Sequence, residues 1–160
     1  MLSGRFDGKE KEAFLRATGK ALEARGCITL VVEASGGEMF GQQTMSALSD
    51  MDVMIAFAFD DYGEKTKSWY CSFYEVKYCL DHKKPIVPLK LYDGQWPPAG
   101  GGPGTPGYEQ NLFVFTPDLV RFSQDPAGKK GPAWDLSKPE ACAEMLAQQI
   151  PHVLAAHAAR

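Results

Sequence analysis

The chain of 160 residues predicts an α/β fold: a five-stranded, doubly wound parallel sheet with helices on both faces. Three observations carry that prediction. Short, nearly continuous apolar runs alternate with helical patterns, the order that builds parallel strands joined by helices. Those runs lack a polar alternation, as strands covered on both faces do. The composition, 44% hydrophobic and 23% charged, is that of an ordinary globular domain, and the length suffices to bury a core.

The elements follow in order. "MLS" is the first strand and a short one, so either the chain begins inside that strand or residues upstream are missing. From Lys9 to Arg25, Phe14, Thr18 and Leu22 recur at helical spacing, with Asp7 and Glu10 as a capping box and Gly26 as the stop. "CITLVVE" (27–33) is the second strand, Gln42 to Asp50 a shorter helix, and "DVMIAFAF" (52–59) the third strand. A helix from about Ser68 to His82 ends before Pro85, and "PIVPLKLY" (85–92) is the fourth strand. "DGQWPPAGGGPGTPGYEQ" (93–110) is dominated by glycine and proline and reads as a long surface loop. "NLFVF" (111–115) is the expected fifth strand. Ser137 with Glu140 opens a last helix with Pro139 near its start, and Pro151 is expected to kink or shorten it. There is no internal repeat, and residues 1–160 read as a single domain.

Several function classes are disfavoured at once. A net charge of −3 leaves no basic footprint for nucleic acid. No apolar run approaches the ~20 residues of a membrane span, and "MLSGRFDGKEKEAF" holds no signal core, so a cytoplasmic protein is expected. Cys27, Cys71, Cys79 and Cys142 show no C-x-x-C spacing and read as buried reduced thiols. His82, His152 and His157 lack ligand spacing, so no metal site is expected. The dinucleotide fingerprint G-x-G-x-x-G, the phosphate loop and the G-x-S-x-G elbow are all absent.

In an open parallel sheet, ligands bind beyond the carboxyl ends of the strands. Four loops converge there: "SGRFDG", "ASGGEMFGQ", "DDYGEKTKS" and "DGQWPPAG". Ser3, backbone amides and Arg5 in the first could hold a phosphate, or could be a helix cap beside an exposed arginine. Trp96 could stack on a nucleobase or pin its own loop. Glu75 is the most informative position. At 100° per residue, Trp69, Phe73, Val76 and Leu80 form the expected sheet-facing stripe, and Glu75 points away from it among Cys71, Ser72 and Cys79. A solvated helix carboxylate and a catalytic one fit that placement equally well.

Laid end to end, these segments resemble the TIR (Toll/interleukin-1 receptor) domain family, from "MLSGRFDGKEKEAFLRATGKALEARG" through "KKPIVPLKLYDGQWPP". "MLSGRF" stands where the family has a Phe-Ile-Ser-Tyr-like run, with Gly4 in place of the usual tyrosine. "ITLVVE" matches a strand ending in an acidic residue, here Glu33. "SWYCSFYEVKYCLDHKKPIVPLKL" is similar to the family's Ser-x-Trp-Cys-x-x-Glu helix and the strand after it. Its Cys71-x-x-x-Glu75 spacing is one residue longer than the commonest version. "GQWPP" resembles the Trp-Pro of the NAD-cleaving members.

The resemblance implies a flavodoxin-like sheet and an NAD⁺ glycohydrolase, also an ADP-ribosyl cyclase in some members. In that reading Glu75 is catalytic, and Ser3, Arg5, Phe6, Glu33, Phe40 and Trp96 bind substrate. Phe40 belongs to the loop that opens and closes over the site. NAD⁺ is the substrate, no cofactor or metal is needed, and homotypic self-association promotes activity. One carboxylate suffices because nicotinamide leaves NAD⁺ as a neutral molecule, so no acid is required for the leaving group, unlike in most glycosidases. The same family contains interaction modules without enzymatic activity, and one fold serves both. A nucleoside deoxyribosyltransferase, with a related sheet and a glutamate at a glycosidic bond, is a third reading.

Overall fold

The computed structural model describes residues 1–4, 8–31, 39–68, 71–115 and 132–160, the side chains of 39–43 excepted. In chain order the elements are β1 (Leu2–Ser3), α1 (Glu10–Glu23), α2 (Met39–Asp50), β2 (Met54–Ala58), α3 (Ser72–Asp81), β3 (Ile86–Lys90), α4 (Pro106–Val114) and α5 (Pro139–Ala158). The fold is mixed α/β, with three parallel strands among the described residues, in the order β1-β2-β3.

β2 is the middle strand, and each of its residues is buried. That explains a run, Met-Ile-Ala-Phe-Ala, with no polar letter in it. Successive side chains point to opposite faces. Val53, Ile55, Phe57 and Phe59 join Phe14, Leu15 and Leu22 of α1 and Cys142, Ala143 and Leu146 of α5 in one apolar cluster. Met54, Ala56 and Ala58 join Ala47, Leu48 and Met51 at the end of α2, Val76 and Cys79 of α3, and Phe115 in the other.

The register sets Ala56 opposite both Ser3 and Pro88. Pro88 is tolerated because of parity. Leu91 donates its N–H to Ala58 O, so the residues of β3 that face β2 are the odd-numbered ones. Pro88 turns its nitrogen the other way, where no ladder bond is lost. Lys90 shares that parity, and its carbonyl accepts from the Trp134 N–H.

Gly4 is explained at the exit of β1. A Cβ there would stand 2.7 Å from Leu15 Cδ1 and 3.2 Å from Phe57 Cβ, so a larger residue would force the Leu15 side chain to give way. Lys84 Nζ donates to Met51 O (2.9 Å) and Ser49 O (3.3 Å), placing a cation at the carbonyl end of α2.

Several sequence expectations need correction. Residues 27–30 form no strand, and Val31 makes one parallel bridge to Leu2; 32 and 33 lie outside the described residues. "NLFVF" is not a strand, because 111–114 belong to α4. Thr105 accepts from the Tyr108 N–H and Pro106 opens the helix, a start signal that prevails over the strand preference of Phe and Val. The glycine- and proline-rich tract therefore ends in a helix rather than running to residue 110 as a loop.

α1 opens at Glu10 with Lys9 as its N-cap and no capping side chain, and Asp7 lies outside the described residues. α2 starts at Met39 instead of Gln42, and α3 at Ser72 instead of Ser68. Ser137 does not cap α5; its hydroxyl donates to Asp135. α5 runs on past Pro151 to Ala158, with Ile150, Val153 and Leu154 packed on the same cluster either side of the proline. Of the four free cysteines, Cys79 and Cys142 are buried, but Cys27 and Cys71 are only half-buried. No described helix is long and apolar enough to cross a membrane.

Candidate active site

The carboxyl edge of the sheet gathers Ser3 at the end of β1, Tyr62 in the turn after β2, and Glu75 in the first turn of α3. Trp96 follows β3 on the same side of the sheet. Ser3 is 1% exposed and Glu75 8%. Both are polar, and both are inside.

Burial of a carboxylate demands a partner. Ser3 Oγ donates to Glu75 Oε1 at 3.0 Å and lies 2.7 Å from Tyr62 Oη. Ser3 owns a single hydroxyl proton, so with that proton on Glu75 the Tyr62 hydroxyl is the donor to Ser3. Oε2 of Glu75 accepts no hydrogen bond among the described residues.

The electrostatics follow from the burial. Desolvation raises the Glu75 carboxyl from 4.5 to about 7, against the lowering effect of the Ser3 hydrogen bond. Tyr62 is pushed well above its ordinary value, first by burial and then by the neighbouring Glu75 charge. The Cys79 thiol, one turn along α3, rises to about 12 for the same two reasons. Glu75 is thus poised near neutrality between two groups that stay uncharged, a pattern typical of functional carboxylates.

The helix face differs from the expected stripe. Glu75, Val76 and Cys79 are the buried residues of α3, whereas Leu80 is 43% exposed. Because α3 starts at Ser72 and its first turns lie against β1 and the turn after β2, Glu75 is drawn inward instead of pointing away from the core.

Two side chains tie the backbone around Tyr62. Asn111 Nδ2 donates to Tyr62 O (2.7 Å) and to Pro98 O (2.9 Å), and the Gly63 N–H donates to Ser72 Oγ (2.9 Å). Gly63 has φ +84°, and a Cβ there would collide with the Asn111 amide. The Tyr62 ring meets Phe115 edge-on at 6.0 Å, and Phe115 meets Trp96 at 5.8 Å. Trp96 is half-buried and stacks on Tyr92 at 6.4 Å, so the indole pins its loop to the second apolar cluster.

Of the expected site residues, Ser3 and Glu75 are in direct contact, and Trp96 joins them through Phe115 and Tyr62. Arg5, Phe6 and Glu33 lie outside the described residues. Phe40 falls in the first turn of α2, not in a loop, and its side chain is outside the described set. Tyr62 and Asn111 escaped the sequence reading. The one signal for Tyr62 was its place in "DDYGEKTKS", a loop at the ligand edge; Asn111 sat within an apolar run. Lys90, buried at the end of β3 with Nζ 5.6 Å from the Tyr92 ring, was likewise not singled out.

Among the described residues no three His, Cys, Asp or Glu side chains gather as a metal ion would need. Comparison with protein-family models, with curated proteins and with solved structures gives no match for this chain.

Proposed function

We propose that the protein is an NAD⁺ glycohydrolase of the TIR type, with Glu75 as its catalytic carboxylate. The observation that carries this reading is a buried glutamate at the carboxyl edge of a parallel sheet, hydrogen-bonded by Ser3 at one oxygen and by no described residue at the other. The resemblance of "SWYCSFYEVKYCL" and "GQWPP" to the NAD-cleaving members supports it. Cleavage of the nicotinamide–ribose bond sends the bonding pair to the pyridinium nitrogen and leaves an oxocarbenium ion. An ionised Glu75 stabilises that cation in a water-poor site. Addition of water yields ADP-ribose and a proton, and attack by the adenine of the same molecule yields a cyclic isomer. Arg5, Phe6, Glu33, Phe40 and Trp96 would line the substrate site, as the resemblance implies.

The finer fold belongs to this proposal. The Leu2–Val31 bridge puts the segment before residue 32 on the outer flank of β1, and Trp134 adjoins the outer edge of β3. Both contacts support a flavodoxin-like order extending beyond the three strands.

Incubating the purified protein with NAD⁺ and following nicotinamide release tests the activity. Glu75→Ala is expected to slow release by about 10²–10³-fold. Equal traces for the two proteins at high concentration would end the proposal.

A second reading, a TIR-type self-association module without turnover, is favoured by Leu112 and Phe113 of α4, which are 46% and 69% exposed. Concentration-dependent assembly with no nicotinamide release would select it.

A further inference from the structure

We propose that Tyr62 is a positioning residue that acts on Glu75 through Ser3. Its hydroxyl occupies the acceptor side of Ser3 Oγ, committing Ser3's only proton to Glu75 Oε1 and leaving Oε2 to meet a ligand. This rests on the role of Glu75 given above and extends it to a residue outside the expected site.

The geometry sets the direction of the relay. Tyr62 Oη lies 2.7 Å from Ser3 Oγ, and Ser3 Oγ lies 3.0 Å from Oε1. All three residues are buried, so water does not compete freely for these bonds. A hydroxyl that both accepts and donates is polarised, and each bond strengthens the other. Tyr62 also cannot drift. Asn111 holds its carbonyl at 2.7 Å, Ser72 holds the next N–H at 2.9 Å, and Phe115 packs on its ring.

The titratable groups around Glu75 are Tyr62, Cys79 and the Met1 amino group. Burial keeps the phenol and the thiol neutral at pH 7. With Ser3 donating to it and Tyr62 donating to Ser3, the arrangement favours the ionised carboxylate over the protonated one.

The test is a double-mutant cycle read on Glu75 itself. The full chain, labelled with ¹³C at glutamate carboxyls, is titrated by NMR, and Glu75→Gln assigns the resonance. Ser3→Ala is expected to raise the Glu75 midpoint by about one pH unit. Tyr62→Phe, which keeps the ring, should raise it by less and in the same direction. In the double variant the Tyr62 change should add nothing, because its route through Ser3 is gone. Should Ser3→Ala not fold, Ser3→Cys replaces it as a weak donor. A Tyr62→Phe titration that coincides with wild type, or two effects that simply add, would overturn the relay. The acid limb of kcat/KM for NAD⁺ should move in the same order. Titrations in this order without any NAD⁺ cleavage would support the relay and overturn the glycohydrolase reading, so the two ideas fail separately.

Discussion

Replacing Glu75 by glutamine removes a charge from the interior and retains an acceptor for Ser3, so the variant isolates the cost of ionising a buried carboxylate. The folded-state value lies above the unfolded one, at about 7 against 4.5. Between those pH values the folded protein holds more proton than the unfolded chain, and stability must fall as pH rises. Below 4.5 and above about 7 this group adds no slope. At about 1.4 kcal/mol per pH unit, the window from 4.5 to about 7 is worth about 3 kcal/mol. For a domain of this size, each kcal/mol moves Tm by about 2–4 °C, so the wild type should lose about 6–12 °C between pH 5 and pH 8 that Glu75→Gln keeps. Tyr62 and Cys79 stay neutral over that range and cannot mimic the effect. Thermal melts followed by circular dichroism at constant ionic strength measure it. The decisive quantity is the difference between the two curves, since apart from the Met1 amino group, whose buried cation the Glu75 charge supports, the other titrating groups are common to both proteins. Parallel curves would refute the assignment of a raised, buried acid at this position.

Other outcomes follow from the same contacts. If Glu75 works as a carboxylate, kcat/KM for NAD⁺ should climb with pH around 7 and level off above it, a limb read from initial rates. Asn111→Ala strips the buried carbonyls of Tyr62 and Pro98 of their donor and should cost about 3 kcal/mol in urea unfolding, with an unchanged m-value. Gly63→Ala places a side chain at φ +84° against Asn111 and should cost about 2–4 kcal/mol, whereas Gly8→Ala, which meets nothing within 4 Å, should cost less.

Much of the sheet was legible because central strands must be apolar on both faces. "DVMIAFAF" and "PIVPLKLY" announce β2 and β3, trimmed at their ends. The segment 111–115 misled for a physical reason. "NLFVF" has strand-like letters, yet "TPGYEQ" before it carries a helix start, and burial of Asn111 depends on partners far along the chain, Tyr62 and Pro98. The rotation of α3 was equally beyond periodicity. Two faces of "SFYEVKYCLD" compete in apolar character, and contact with Ser3 and Tyr62 chose the one that buries Glu75. Glu75 and Ser3 could be singled out from motif and position at the sheet edge. Their hydrogen bond, and the tyrosine behind it, depend on a turn whose shape no local pattern specifies.

Oε2 of Glu75, which no described residue hydrogen-bonds, has a consequence for measurement if the site takes a cationic ligand as proposed. An acid poised between its two forms at neutral pH gives up hydrogen ion when a positively charged ring settles beside it. Heats of association recorded in buffers of differing ionisation enthalpy would therefore diverge for a pyridinium compound and coincide for its uncharged analogue. On the proposed reading, affinity for cations at this edge would be tied to the acidity of the medium, rising as the surroundings become more alkaline.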